Sequence, residues 1–324
     1  MSITTASNRT FIEAEQYSDF ILTNLHDGLL PPNFYRNVSD FGSGEVLHIK
    51  TMGDAQIQEV AEDAPITYSP IETGEVELRI TEYIGDGWYI TDKMRQDGAQ
   101  IEGLLAQRGK EATRAIQERY ETQALATLNA GQTDGDGNAV NGFAHRTVGS
   151  GASNVMQLTD LIAMRLAFNK AQVPYGGRIG IVDPVVEATL NTAFNIVSHA
   201  GGIANSGNLG ASSATQGIFE NGFDRDHTFV TSLYGFDIMT SNRLPTGEFS
   251  DGTTSVPGAV ANIFMCIADD NCKPLMTAWR QPPRVEGERN KDLQRDEYVQ
   301  TARFGFGIQR KDTLAVLITS ATSV

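Results

Sequence analysis

The chain has 324 residues, 40 % of them hydrophobic, enough for one large domain or two smaller ones with substantial cores. Its 40 acidic residues against 25 basic give a formal charge of −15. Such a surface repels a phosphate backbone unless basic groups collect on one face, which argues against a protein dedicated to reading nucleic-acid sequence.

No run of eighteen apolar residues suits a membrane-spanning helix, and "MSITTASNRTF" lacks the basic-then-apolar pattern of a secretion signal. Synthesis in the cytosol and no membrane partner are expected. Residues 1–44 mix polar and aromatic side chains around Pro31-Pro32 and read as an extended arm, with one short helix near 13–26. "EVLHIKT" (45–51) and "EVELRIT" (75–81) read as strands. In the second, Val76, Leu78 and Ile80 fall on one face and Glu75, Glu77 and Arg79 on the other. The polar stretch between them carries Pro65 and Pro70, so the pair forms a two-stranded excursion too thin for a core of its own. An isolated ribbon of that kind is marginally stable in water, so it has to lean on something, within the chain or on another molecule.

"GWYITD" (87–92) predicts a separate strand ending at a helix start. From about 100 to 129 the chain reads as helix, with Ile101, Leu104, Leu105, Ala112, Ile116, Tyr120, Leu125 and Leu128 along one side and a stop at Ala130-Gly131. Such a rod is about 45 Å long. Gly103 and Gly109 inside it cost roughly 1 kcal/mol each relative to Ala, and signal either close approach of another backbone or an imperfect helix. After the turn-rich 131–143, residues 158–171 predict a helix with Leu158, Leu161, Ile162 and Leu166 inward and Thr159 as cap. "RIGIVD" predicts a strand, and "PVVEATLNTAF" a helical start with Pro184 in its first turn. Residues 200–222 read as a Gly/Ser/Ala/Asn-rich exposed loop. "TFVTSLYGFDIMTSN" predicts two strands hinged at Tyr234-Gly235, and "AVANIFMCIA" (259–268) a buried one. The span 150–268 is therefore strands with flanking helices, an α+β or α/β layer. In "ARFGFGIQRKDTLAVLIT" (302–319), Phe304, Phe306 and Ile308 alternate with Gly305 and Gly307. A strand with one bare face must be pressed against something there.

Signatures of chemistry are lacking. Cys266 and Cys272 are the only cysteines and have no second Cys/His pair to complete a zinc site, so they read as reduced thiols, with Cys266 packed in its strand. Asp134, Asp136 and Asn138 fit the first, third and fifth positions of a calcium loop, but Ala139 stands where Gly belongs and His145 where Glu belongs. That stretch reads as a surface turn. His26, His48, His145, His199 and His227 show no ligand spacing, and no nucleophile elbow, Walker loop or dinucleotide fingerprint occurs. No catalytic, cofactor-binding or metal-ligating residue is assigned, no cofactor is expected, and the chain reads as a non-enzyme.

Charge is segregated more clearly. Residues 45–80 carry eight acidic groups against two basic, and residues 280–312 eight basic against six acidic. These are either two solvated faces or an acidic ribbon that lies on the basic segment of a neighbouring copy. Glu59, Glu62, Asp63 and Glu72 are the candidate contacts on one side, and Arg280, Arg284, Arg289, Lys291 and Arg295 on the other. Exposed pairs of this kind give about 0–1 kcal/mol each, setting register more than strength.

The order of these parts resembles the major capsid protein of tailed bacteriophages, the Hong Kong 97-type fold. The likeness spans essentially the whole chain: arm, acidic excursion, "WYITDKMRQD" and long helix, then "YGFDIMTSNRLP", "AWRQPPRVEGERN" and "RFGFGIQRKDTLAVLI". It implies an α+β fold with an N-terminal arm (1–44), an extended loop (45–81), a peripheral P-domain (82–149 and 269–324, with a spine helix near 100–129) and an axial A-domain (150–268). Phe304, Phe306 and Ile308 would form P-domain core, the two rings packing on the spine helix while Gly305 and Gly307 leave room for an adjoining backbone. If its ring is fully buried, Phe306→Ala should cost about 3–5 kcal/mol.

The function implied is self-assembly, as hexamers and pentamers, into an icosahedral head shell around double-stranded DNA, contacted weakly and without sequence preference. A portal, a separate scaffolding protein and, in some heads, a decoration protein would be the other partners. The subunit would be assembled in the bacterial host cytoplasm and end in the virion. Only about forty residues precede the excursion and Met1 remains, so a separate scaffold and no trimming of this subunit are expected. Lys50 is the only lysine in 45–80 and lies near the base of its strand, so Lys–Asn cross-linking is not expected. The alternatives are an encapsulin-like nanocompartment shell of the same fold, and a soluble α/β hydrolase or binding protein built on the 150–268 layer.

Overall fold

In a computed structural model, residues 29–38, 44–53, 57–59, 68, 70–71, 73–98, 101–132, 139–190 and 229–320 are described. The expected helix at 13–26, the calcium-like turn at 134–138 and the loop at 200–222 lie outside them. The strands are β1 (Arg36–Asn37), β2 (Val46–Met52), β3 (Thr73–Thr91), β4 (Ala139–Val140), β5 (Phe143–Ala144), β6 (Arg146–Val148), β7 (Arg178–Val182), β8 (Phe229–Leu233), β9 (Phe236–Thr240), β10 (Thr246–Ser250), β11 (Ser255–Cys266), β12 (Leu275–Asn290), β13 (Arg295–Ile308) and β14 (Leu314–Ser320). The helices are α1 (Asp92–Asp97), α2 (Ile101–Ala130) and α3 (Leu158–Lys170), and residues 184–190 are also helical.

Two compact units divide the chain. The larger takes the described residues of 27–85, 116–284 and 301–324, and the smaller takes those of 86–115 and 285–300.

A seven-stranded sheet in the larger unit runs β6-β14-β11-β7-β9-β8, with β10 on the first half of β11. Period-two alternation sorts β11: Phe264 and Cys266 join Leu161, Met164 and Phe168 of α3, while Ile263 and Met265 join Ala124, Leu125 and Leu128 of α2. Helices thus cover both faces, which is why β14 is apolar on both sides (Ala315 and Leu317 one way, Leu314 the other). β6 and β14, grouped in the sequence reading with the peripheral segments, lie in this sheet because a doubly apolar strand needs two covered faces. Tyr234 and Gly235 both have positive φ, 50° and 86°, which closes the β8–β9 hairpin in two residues.

α3 differs from its prediction. Gln157, not Thr159, caps it, in a reciprocal box with Asp160. Its buried side is Leu161, Met164, Ala167 and Phe168, whereas Ile162 and Leu166 are 48 % and 44 % exposed. Apolar residues surround this helix, so spacing alone does not select a face and the bulkiest ring goes inward.

A five-stranded sheet has the order β1-β12-β13-β3-β2. The two strands expected at 75–81 and 87–92 are one, because Gly85 and Gly87 stay in the strand without positive φ and make no turn. β12 was not anticipated, since Pro282 and Pro283 break the usual strand signal. β1 pairs with only Met276 and Thr277, so beyond them one side of β12 faces no strand among the described residues, and a missing N–H on that side costs no ladder bond.

The glycine face of β13 meets the β3 backbone. A β-carbon on Gly305 would run into the Arg79 carbonyl and lie 2.6 Å from Ile80 Cα, and one on Gly307 would lie 3.1 Å from the Glu77 carbonyl oxygen. On the other face, Phe304 and Phe306 place their rings 4.9 and 4.8 Å from that of Tyr120 on α2. Phe304 is fully buried but Phe306 only half, so the 3–5 kcal/mol expectation passes to Phe304. Ile308 packs at the end of α2, where a β-carbon on Gly131 would be 2.8 Å from Ile308 Cγ1.

In the smaller unit Trp88 stacks on Tyr298, with centroids 6.0 Å apart, and Arg108 bonds Asp86. Gln300 Nε2 donates to Thr113 Oγ1 at 2.9 Å, and Thr91 Oγ1 caps α1 by accepting from Met94 N–H. Among the described residues, a β-carbon on Gly109 would meet nothing within 4 Å, so no described backbone of the subunit approaches α2 there.

Candidate subunit interface

The β2–β3 hairpin is built by two interlocking alternations. Leu47 opposes Leu78 and Ile49 opposes Val76; these four pack with Met276 and Ala278 of β12. On the other face His48 opposes Glu77 and Lys50 opposes Glu75, all exposed. His48 Nδ1 lies 2.7 Å from Glu75 Oε1. A hydrogen bond from Arg79, reinforced by its charge and more weakly by that of His48, holds the Glu77 carboxyl below the usual range.

That packing stops toward the tip. Met52 is 76 % exposed, Ile57 98 %, Tyr68 92 % and Ile71 76 %. These apolar side chains find no shelter among the described residues and form a feature that the charge pattern does not show. Their sequence signal is weak, because each stands alone among Gly, Pro and carboxylates. Glu59 is exposed beside Ile57, whereas Glu62, Asp63 and Glu72 lie outside the described residues.

Arg280, Arg284 and Arg289 on β12 and Lys291 in the turn after it are exposed. Arg289 already grips both oxygens of Asp92, at 2.9 and 2.7 Å, and contacts Asp296 at 3.0 Å. This hydrogen bonding lowers the Asp92 pKa and raises that of Arg289. Arg295 donates to Glu297 at 2.6 Å, and its guanidinium lies 4.5 Å from the Tyr89 ring centroid.

Where the arm enters the larger unit, buried Glu121 accepts from Leu30 N–H at 3.2 Å and from Ser241 Oγ at 3.3 Å, with Arg243 3.6 Å away. A largely apolar cavity of about 460 Å³ borders it, lined by Leu30, Phe34, Tyr120 and Leu128 among others. Among the described residues no group of three His, Cys, Asp or Glu could hold a metal ion. His145 is buried with Nδ1 3.0 Å from the Phe143 carbonyl oxygen.

The family model for phage capsid protein matches residues 73–318, well over half of the chain. The chain belongs to the phage capsid protein family. The match begins at β3, so the arm and β2 lie before it. Solved capsids share the fold of this capsid protein at low identity. That of the cyanophage P-SCSP1u is 14 % identical with a TM-score of 0.67, over 96 % of this chain and 94 % of that one. The mature capsid of bacteriophage PhiM1 is 12 % identical with a TM-score of 0.66, over 97 % and 93 %. The capsid of Ralstonia phage GP4 is 12 % identical with a TM-score of 0.65, over 99 % of each. No curated protein matches the chain. The fold is thus α+β and Hong Kong 97-type, and the capsid protein is a major capsid protein, a structural component of the phage head shell.

Proposed function

We propose that many copies of this capsid protein tile an icosahedral head as hexamers and pentamers, each hairpin tip seated on the next subunit. The exposure of Met52, Ile57, Tyr68 and Ile71 carries this reading. Burying such side chains yields about 1.5–3 kcal/mol for each that is fully covered, far more than exposed ion pairs give. Apolar contacts then supply strength, while Glu59, Glu62, Asp63 and Glu72 facing Arg280, Arg284 and Lys291 of a neighbour set register. The surrounding assembly is a virion head made in the host cytoplasm on a separate scaffolding protein, closed by a portal and filled with double-stranded DNA. Electron microscopy of Tyr68→Ser/Ile71→Ser coexpressed with its scaffold tests the reading. Folded subunits without shells are expected, and normal shells would overturn it.

A further inference from the structure

Cys266 ends β11 and is fully buried. Six residues later the chain has folded back: the N–H groups of Cys272 and Lys273 both donate to the Asp269 carbonyl, at 2.9 and 3.2 Å. That turn sets Cys272, partly open to solvent, against the same apolar cluster that contains Cys266. The Cys272 side chain is among the groups that act on the Cys266 thiol. Neither is oxidised, and the chain has no third cysteine to compete. Cys266 Sγ also faces the carbonyls of Gly176 and Pro174, at 3.6 and 3.9 Å, and burial raises its pKa, so it is held as a protonated thiol.

We propose that Cys266 and Cys272 form an oxidation site that closes to an intrachain disulfide when a peroxide reaches the subunit. Cys272, the accessible partner, reacts first as thiolate. It attacks hydrogen peroxide, the O–O bond breaks, one oxygen stays as the sulfenic acid and the other leaves as hydroxide, which takes up a proton to become water. Cys266 then attacks the Cys272 sulfur; the S–S bond forms, the S–O bond breaks, and the departing hydroxyl carries the Cys266 proton away as a second water. Two thiols lose two electrons and one peroxide becomes two waters.

The closed loop sits at a junction. Ile267 N–H donates to the Gly177 carbonyl at 2.7 Å, and Asn271 accepts from Arg36 through its side chain and from Gln309 through its carbonyl. A bridge across 266–272 therefore fixes the point where β1, the turn before β7 and the turn after β13 meet.

The full-length native protein, treated with hydrogen peroxide, denatured, alkylated with iodoacetamide and digested with trypsin, tests this. Between Arg243 and Arg280 the only basic residue is Lys273, followed by Pro274, so both cysteines stay in peptide 244–280. The expected result is that peptide two hydrogens lighter, without alkyl groups, and restored by dithiothreitol. Cys272→Ser should instead show Cys266 alkylated and no such loss. Both cysteines alkylated at a dose that oxidises glutathione, conversion of Cys272 to sulfinic acid without a bridge, or bridged chains on a non-reducing gel would each overturn the proposal.

Discussion

The seven-stranded sheet and the β2–β3 hairpin belong to the same unit and solve the burial problem in opposite ways. In the sheet, Phe264, Phe236 and Phe168 interlock with centroids 5.2 and 5.5 Å apart, and helices cover both faces. In the hairpin, shelter extends only as far as Leu47, Ile49, Val76 and Leu78, and the tip leaves Ile57 and Tyr68 almost wholly in water. The first region contains everything its stability requires. The second leaves apolar side chains that a neighbouring surface would cover, which is the contact proposed above for assembly.

Substitutions should separate the two regions by what they damage. Phe264→Ala removes a fully buried ring from the sheet and should cost about 3–5 kcal/mol in urea unfolding of the unassembled subunit. A cost under about 1 kcal/mol would mean that the sheet is not the closed half of the contrast. Gly305→Ala acts where β13 receives the hairpin strand, and with no space before the β3 backbone it should cost about 1–3 kcal/mol.

Acid should weaken the sheet through His145. Burial lowers the affinity of this imidazole for a proton below its ordinary pKa of 6.5, so the unfolded chain takes up more protons just below that pH. The contribution is complete above pH 6.5 and is lost as pH falls from there toward the folded-state pKa. His145→Gln should flatten that part of the stability profile, measured by thermal unfolding across the range. Smallest of all, Tyr68→Ser should change subunit stability by about 0.5 kcal/mol or less. A larger loss would mean that the tip is sheltered within its own chain.

Much of this contrast was legible in residues. The period-two pattern of 75–81, the Tyr234-Gly235 hinge and the Ala130-Gly131 stop each rest on a local rule, and each has its place in the structure. What local rules could not reach was decided at a distance. β12 runs through Pro282-Pro283 although its local sequence breaks the strand signal, and Arg289 meets Asp92 from 197 residues away. Gly85 and Gly87 suggest a break because glycine permits one, but nothing in the sequence states that a neighbouring strand keeps them extended. Charge is what the sequence shows of the hairpin, because carboxylates cluster visibly there. The apolar residues of the proposed contact have no period, and only their exposure reveals them.

Hydroxyl-radical footprinting of Met52 and Tyr68, in unassembled subunits and in purified shells of the same protein, tests the central claim most directly. Fast modification of both in the subunit, falling by an order of magnitude or more in the shell, is the predicted result. Equal modification in the two states, or protection already present in the lone subunit, would contradict it.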